Sequence, residues 1–252
     1  MSFLEGYKGA GDVQLQLIVD GVLTGGLIDA GNINSLMPAM QPERQEIISR
    51  RKLTAGNALD SVNARTPLKV TWKGNTFFKQ IWDFLMLGTT TDYAGAAVVN
   101  EPCTVRVLDE WQQLGDQETF PGHTLDEITD DEVGTVTYVE NTDYEYRVED
   151  GAVKFLSTGS ISLSDVVYCD VTAPSTGYEV AMNTVTEKTV RMTVNGVNEF
   201  NARDTFLQLY QVSNMPNSEP DMLAGEIQEY EFEGTCEVPS WASEPGKWHY
   251  ID

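Results

Sequence analysis

Apolar and polar residues alternate with period two through Val13-Gln14-Leu15-Gln16-Leu17, and the run stops at the turn pair Asp20-Gly21. That pattern predicts a half-buried strand. A second run, Gly26 to Met37, is less regular and stops at Pro38, predicting a second strand. Leu68-Lys69-Val70-Thr71-Trp72 alternates again, and after Lys73-Gly74 the period changes. Phe78, Ile81, Trp82 and Leu85 fall at helical spacing, Asn75 or Thr76 can cap and Gly88 can stop the turn, so one short helix is predicted over 76–87. Beyond Gly95 strand signals dominate: Val98 to Leu108, Thr135 to Val139, Tyr144 to Val148, Val153 to Leu156, Val166 to Thr172, Thr189 to Val194, Thr205 to Val212 and Glu226 to Phe232. Asp150-Gly151 and Asn195-Gly196 read as hairpin turns.

The expected fold is therefore mainly β, a sandwich or barrel with one short α-helix and a long extended loop, in a single domain over 1–252. The loop is 41–66, where Arg44, Arg50, Arg51, Lys52 and Arg65 stand among small polar residues. A loop that long inside a compact domain tends to be functional or disordered. Residues 114–134 read as an acidic loop insertion, and Gly6, Gly9 and Gly11 as a flexible N-terminal arm.

Composition adds the charge. The 252 residues carry a formal −23, unevenly spread. Residues 1–80 hold nine Lys/Arg against seven Asp/Glu, a balance of +2, which leaves 7 basic and 32 acidic residues, or −25, for 81–252. A surface this acidic cannot bind nucleic acid by counterion release, though it can surround it. A chain of this length buries about 70–75% of its unfolded surface and needs no covalent staple. Cys103, Cys169 and Cys236 are odd in number, far apart in sequence and without CxxC or Cys/His spacing, which argues against zinc or an oxidised framework and fits a reducing site of synthesis. The first residues lack a basic segment followed by an apolar one, and no apolar run approaches a bilayer span, so a soluble protein is expected.

Candidate chemistry is sparse. Leu27-Ile28-Asp29-Ala30-Gly31 approaches the aspartic-protease loop, but Ala30 occupies the hydroxyl position and no second copy exists, so the segment reads as a turn. His123 and His249 lie near no nucleophile turn and read as surface or loop residues. Asp126, Glu127, Asp130, Asp131 and Glu132 cluster, but Ile128 stands where an EF-hand loop needs a ligand, so a solvated loop is the default. Tyr138, Tyr144, Tyr146, Phe155 and Tyr168 sit at strand spacing and read as core or cross-strand pairs. Glu229, Glu231 and Glu233 share one face of a strand, as either a solvated sheet face or an acidic wall facing something to be repelled. No set of nucleophile, base and orienting group emerges, and no enzyme, metal or cofactor is expected.

Tyr138 to Phe155, with Asp143-Tyr144 and Asp150-Gly151 inside it, followed by Ile161 and Val166 to Thr172, resembles the central part of phage tail tube proteins. Val194 to Asn201, Leu207 to Val212 and Leu223 to Gly234 are similar to their C-terminal part, except that Ala202 or Arg203 stands where glycine belongs. The resemblance implies a virion structural protein made and assembled in the host bacterial cytoplasm. Its copies close into rings, typically hexameric, stacked into the tail tube. Implied partners are further copies of itself, the tape measure protein, and the tail terminator and tail tip proteins. DNA passes through without specific binding, and no membrane is involved. Glu229, Glu231 and Glu233 are then candidates for the lumen, where carboxylates repel phosphates. The basic residues of 41–66 are candidates for docking on an acidic neighbour, a heterologous contact. A hydrophobic interface through Phe77 and Phe84 is the other expectation. Other virion roles, in head decoration, connector or baseplate, stay open, as does a carbohydrate- or Ca²⁺-binding β-sandwich.

Overall fold

A computed structural model gives the structure of the chain and describes residues 8–40, 43–48, 50, 58–64, 66–116, 118–223 and 225–251, without the side chains of 43–45 and 58–64. The fold is mainly β with one short helix. In chain order the first elements are β1 (Gly9–Val19), β2 (Val22–Asp29), β3 (Ile33–Ala39), β4 (Glu43–Ile48), β5 (Ala58–Ala64), β6 (Leu68–Gly74), α1 (Lys79–Leu85) and β7 (Thr89–Asp92). Then come β8 (Ala97–Thr104), β9 (Trp111–Gln113), β10 (Thr124–Thr129), β11 (Tyr144–Arg147), β12 (Ala152–Phe155) and β13 (Val166–Thr172). The chain closes with β14 (Tyr178–Ala181), β15 (Lys188–Asn198), β16 (Arg203–Pro216), β17 (Tyr230–Glu237) and β18 (Gly246–Ile251).

The chain divides into two compact units: residues 1–90 with 180–252, and residues 91–179. Each has its own buried apolar cluster, the physical reason for the division. The chain leaves the first unit through β7 and returns through β14, and these two strands pair with each other.

The first unit is a β-sandwich-like, eight-stranded sheet. Its order is β2-β1-β15-β16-β17-β6-β3, with β18 also on β16. The fork lies in β16, whose 14 residues outrun any one partner: Asp204 to Leu209 pair with β18, Gln211 to Pro216 with β17. Alternation puts Val13 and Leu15 of β1, Met192 of β15, Val70 and Trp72 of β6 and Phe232 of β17 into one core. Trp72 is fully buried, stacks on Phe232 at 4.5 Å between centroids and donates its indole N–H to Asn214 Oδ1 at 3.0 Å. Asp20 and Gly21 take φ of 50° and 76°, the left-handed pair a tight hairpin requires.

The helix is shorter than its pattern. Phe78 precedes it with no side-chain cap, because Asn75 and Thr76 are engaged elsewhere: Asn32 donates its side-chain amide to Asn75 Oδ1 (2.9 Å) and its backbone N–H to Thr76 Oγ1 (3.0 Å). The two caps instead clamp the corner between β2 and β3. Phe84 is buried in the core and Phe77 packs on Tyr230 and Trp82, so neither forms the expected exposed face.

Several strand expectations shift for local reasons. The run Gly26 to Met37 breaks into β2 and β3 at Gly31, whose φ is 72°. Gly9 and Gly11 open β1 rather than forming an arm, and Gly6 lies outside the described residues. Gly11 sits opposite Gly196, where a Cβ would lie 2.5 Å from the neighbouring backbone, so Asn195-Gly196 is a close-approach point within β15 and the turn falls at 199–202. Thr135 to Val139 is a loop with a bridge at Thr137, held by donation to Asp130 and Asp131. Glu226 to Phe232 yields a strand only from Tyr230 onward. The stretch 41–66 contains a β-hairpin, β4 on β5, and 114–134 contains β10, paired with β13.

The second unit holds two three-stranded sheets, β10-β13-β8 and β11-β12-β9. Their inner faces supply Cys103, Ile128, Tyr144, Val153, Phe155, Val167, Cys169 and Val171.

Candidate functional site

A groove of the first unit, about 290 Å³, is lined by Gly9 to Gly11, β3, and residues of β15, β16 and β18, with no titratable side chain among them. Functional candidates therefore lie on surfaces, and three stand out.

The first is the outer face of β6 and β17. Glu231 is directly opposite Lys73, and their ion pair measures 2.6 Å; Glu233 reaches diagonally to Lys69 at 2.7 Å. Glu229, just before β17, accepts a hydrogen bond from Asn34 at 2.8 Å. The hydrogen bond from Lys73 holds the Glu231 carboxyl below its usual range, and that same bond to Glu231 raises the Lys73 ammonium. The three carboxylates do form a row, but two of them are matched by lysines of the neighbouring strand. Alternation in Leu68 to Trp72 already put Lys69 on this face; which strand lay beside it was invisible without the register.

The second surface is the rim of the sheet. The layer β2-β1-β15-β16-β18 ends in β2 on one side and β18 on the other. Residues 21–28 contain no charge, and Val22 and Leu27 are about 60% exposed, at 62% and 58%. β18 carries one charge, Lys247, already paired with Glu244 at 3.1 Å, and exposes Ile251. Natural edge strands are normally blunted by charge, proline or cover. That β18 is a strand was legible in Lys247-Trp248-His249-Tyr250, which alternates polar and apolar residues; that it forms a sheet edge was not.

The third surface is the hairpin β4–β5. Ile47 and Ile48 are exposed on it and Arg50 follows it in the open. Arg44 lies on β4, its side chain not described; Arg51, Lys52 and Arg65 lie outside the described residues.

Charge also separates by unit, though less sharply than between residues 1–80 and 81–252. Residues 91–179 hold 3 basic and 19 acidic residues, a balance of −16, which leaves −7 for the rest of the chain. All three cations are paired, Arg106 with Asp116, Arg147 with Asp150 and Lys154 with Glu145. Arg147 and Lys154 also lie over the Trp111 ring. Several of the carboxylates are structural. Asp131 accepts from Val133 and Thr135, and the Thr135 N–H holds it below the usual range. Asp143, buried, accepts from Val139 N–H at 2.9 Å and Ser160 N–H at 2.7 Å, which depress its carboxyl in that order.

The remaining candidates resolve plainly. Asp29 accepts from Gly31 N–H in a turn, and Ala30 is fully buried with its carbonyl under Tyr230 Oη. His123 is not on the surface: it is buried between Tyr93 and Phe120, each ring edge-on to it. His249 is exposed on β18. Tyr144 and Phe155 are core, with Tyr138 and Tyr146 packed against them. Cys103 and Cys169, distant in sequence, lie diagonally across the paired strands β8 and β13, both buried in the core of the second unit.

A family model described as "Protein of unknown function UCP028589" matches residues 6–245. The chain belongs to that family. The UCP028589 match spans both compact units, so the acidic insertion and the sandwich together belong to the family's architecture. Among curated proteins nothing matches.

Proposed function

We propose that this UCP028589 protein is a self-assembling structural subunit whose copies close into rings and stack into a hollow tube, the tail tube of a bacteriophage. The observation that carries the reading is the pair of open edges on one layer. β2 and β18 terminate the layer β2-β1-β15-β16-β18 on opposite sides; β2 carries no charge before its last residue, Asp29, and the one charge of β18, Lys247, is paired with Glu244. Pairing β2 of one copy with β18 of the next is a heterologous contact, and repetition of such a contact closes a ring. It converts two aggregation-prone edges into continuous sheet.

The net charge supports the same reading. Six copies multiply the −23 sixfold, and a lumen with that excess of carboxylate repels a duplex carrying about one charge per 1.7 Å. The Lys69 and Lys73 pairs temper the row at Glu229, Glu231 and Glu233, so the repulsion is a property of the summed field more than of those three residues. The hairpin β4–β5, with Arg44 on β4 and the exposed Arg50 just past it, is the segment proposed to dock on a neighbouring copy.

Electron microscopy of the concentrated protein tests the proposal. Stacked rings with a central hole are expected from the wild type. Val22→Lys with Leu27→Lys on the open edge should leave a folded monomer by circular dichroism and abolish the rings. Monodisperse wild-type monomers at every concentration would overturn the reading.

A further inference from the structure

We infer that Cys103 and Cys169 form a redox-active dithiol, a site of reversible disulfide formation in the core of the acidic unit. The two residues lie on adjacent antiparallel strands. Cys103 of β8 pairs with Val167 of β13, and Cys169 is two residues further along, so both thiols face the same core diagonally. Both side chains are fully buried in the same core cluster, and both cysteines are free thiols. Cys236, in the other unit's core, has no such neighbour among the described cysteines and serves as an internal control.

Diagonal Cα atoms across an antiparallel ladder stand about 7–8 Å apart, just beyond the roughly 6.8 Å limit for a disulfide. Closing the bond needs the strands to draw together. The ladder is already interrupted there. Its register slips between Cys169 and Val171, where Val99 and Asn100 stand against Asp170, and Asn100 takes φ of 59°. Pro102, the residue before Cys103, offers no N–H to the ladder, and its carbonyl accepts from Asp116 N–H at 3.1 Å. A bulge beside a proline gives the local slack that a regular ladder lacks.

The donors around the pair divide the labour. The Cys169 thiol donates to Cys103, followed by the Gly115 N–H and the Gln112 amide, the last at 3.6 Å, and together they hold the Cys103 thiol below its ordinary value. Cys169, the donor of that contact, is raised well above its own. Cys103 is thus the nucleophile and Cys169 the resolving thiol. With a peroxide, the smallest oxidant able to reach a buried sulfur, the Cys103 thiolate attacks one peroxide oxygen, the O–O bond breaks and hydroxide leaves, giving a sulfenic acid. Cys169 sulfur then displaces the sulfenic oxygen, which leaves as water with the Cys169 proton. Two thiols are oxidised and one peroxide is reduced.

The experiment treats the intact protein with hydrogen peroxide and counts thiols after denaturation. The expected result is a fall from three thiols to one, a mass lower by two hydrogens, and a cross-linked peptide pair containing Cys103 and Cys169. Dithiothreitol should restore three. Cys236→Ser should fall from two to none, whereas Cys169→Ser should stop at a sulfenic acid on Cys103 that dimedone traps. Retention of all three thiols, both in the native protein and after refolding in peroxide, overturns the inference. So does oxidation confined to Cys236, or sulfenic acid on Cys103 that persists in the wild type without resolving.

Discussion

Ala202 shows how a single residue can keep a conformation its chemistry resists. It ends the β15–β16 turn at φ of 55°, the left-handed region, at the position where the tail tube resemblance calls for glycine. An L-residue there costs about 1–2 kcal/mol, partly offset by the greater freedom glycine has when unfolded. Ala202→Gly should therefore stabilise the sandwich by about 0.5–1 kcal/mol, read as a higher urea midpoint at unchanged slope. Asp143 is the opposite case, a buried carboxylate whose chemistry suits its place. Its folded-state carboxyl lies below the ordinary 3.8, so its contribution is complete above that value and is lost as pH falls through the lower one. The melting temperature of the second unit should fall on acidification below about pH 4, and Asp143→Asn should flatten that dependence. Asp143→Ala should cost about 1–3 kcal/mol, because the Val139 and Ser160 N–H groups are left without an acceptor.

At the scale of elements, the sheet is joined through the Trp72–Asn214 bond between β6 and β16. Trp72→Phe should destabilise the first unit by about 2–4 kcal/mol, combining an orphaned amide oxygen with a partial cavity, measurable by chemical denaturation. Elements with strict alternation were legible in the sequence: Val13 to Leu17, Leu68 to Trp72, Tyr144 to Arg147 and Val166 to Thr172 all lie in strands. What escaped had competing local chemistry. Asn195-Gly196 carries the strongest hairpin signature in the chain, yet the glycine is there for the near contact with Gly11, a fact of pairing and not of sequence. Asn75 and Thr76 look like caps but are spent on Asn32, across the first unit. The three-residue β9 is too short to show a period, and β7, Thr89 to Asp92, is polar throughout. The candidate surfaces follow the same division. The carboxylate row at 229–233 was visible, whereas its lysine partners, the open rim and the Cys103–Cys169 pair depend on which strands are neighbours.

For the whole molecule, two cores in one chain carry a thermodynamic signature. Calorimetry should resolve two transitions; Trp72→Phe should lower one and Asp143→Ala the other, each leaving its companion in place. A single cooperative peak moved by both substitutions would show the units to be coupled. Residues 91–179 hold most of the net negative charge while the sandwich holds the open edges; under the proposed assembly the sandwich would supply the contacts between copies and the acidic unit their solubility.

The pairing of β7 with β14 has a practical corollary. Chain entry and exit for the acidic unit are adjacent strands, so the junction near Thr91 and Glu179 is a socket. A foreign module whose own ends lie close together can be spliced there in place of residues 91–179 without lengthening a connection in the sandwich. If the copies stack as rings, such a graft would be displayed at a fixed repeat along the particle, which makes the subunit a natural scaffold for ordered multivalent presentation.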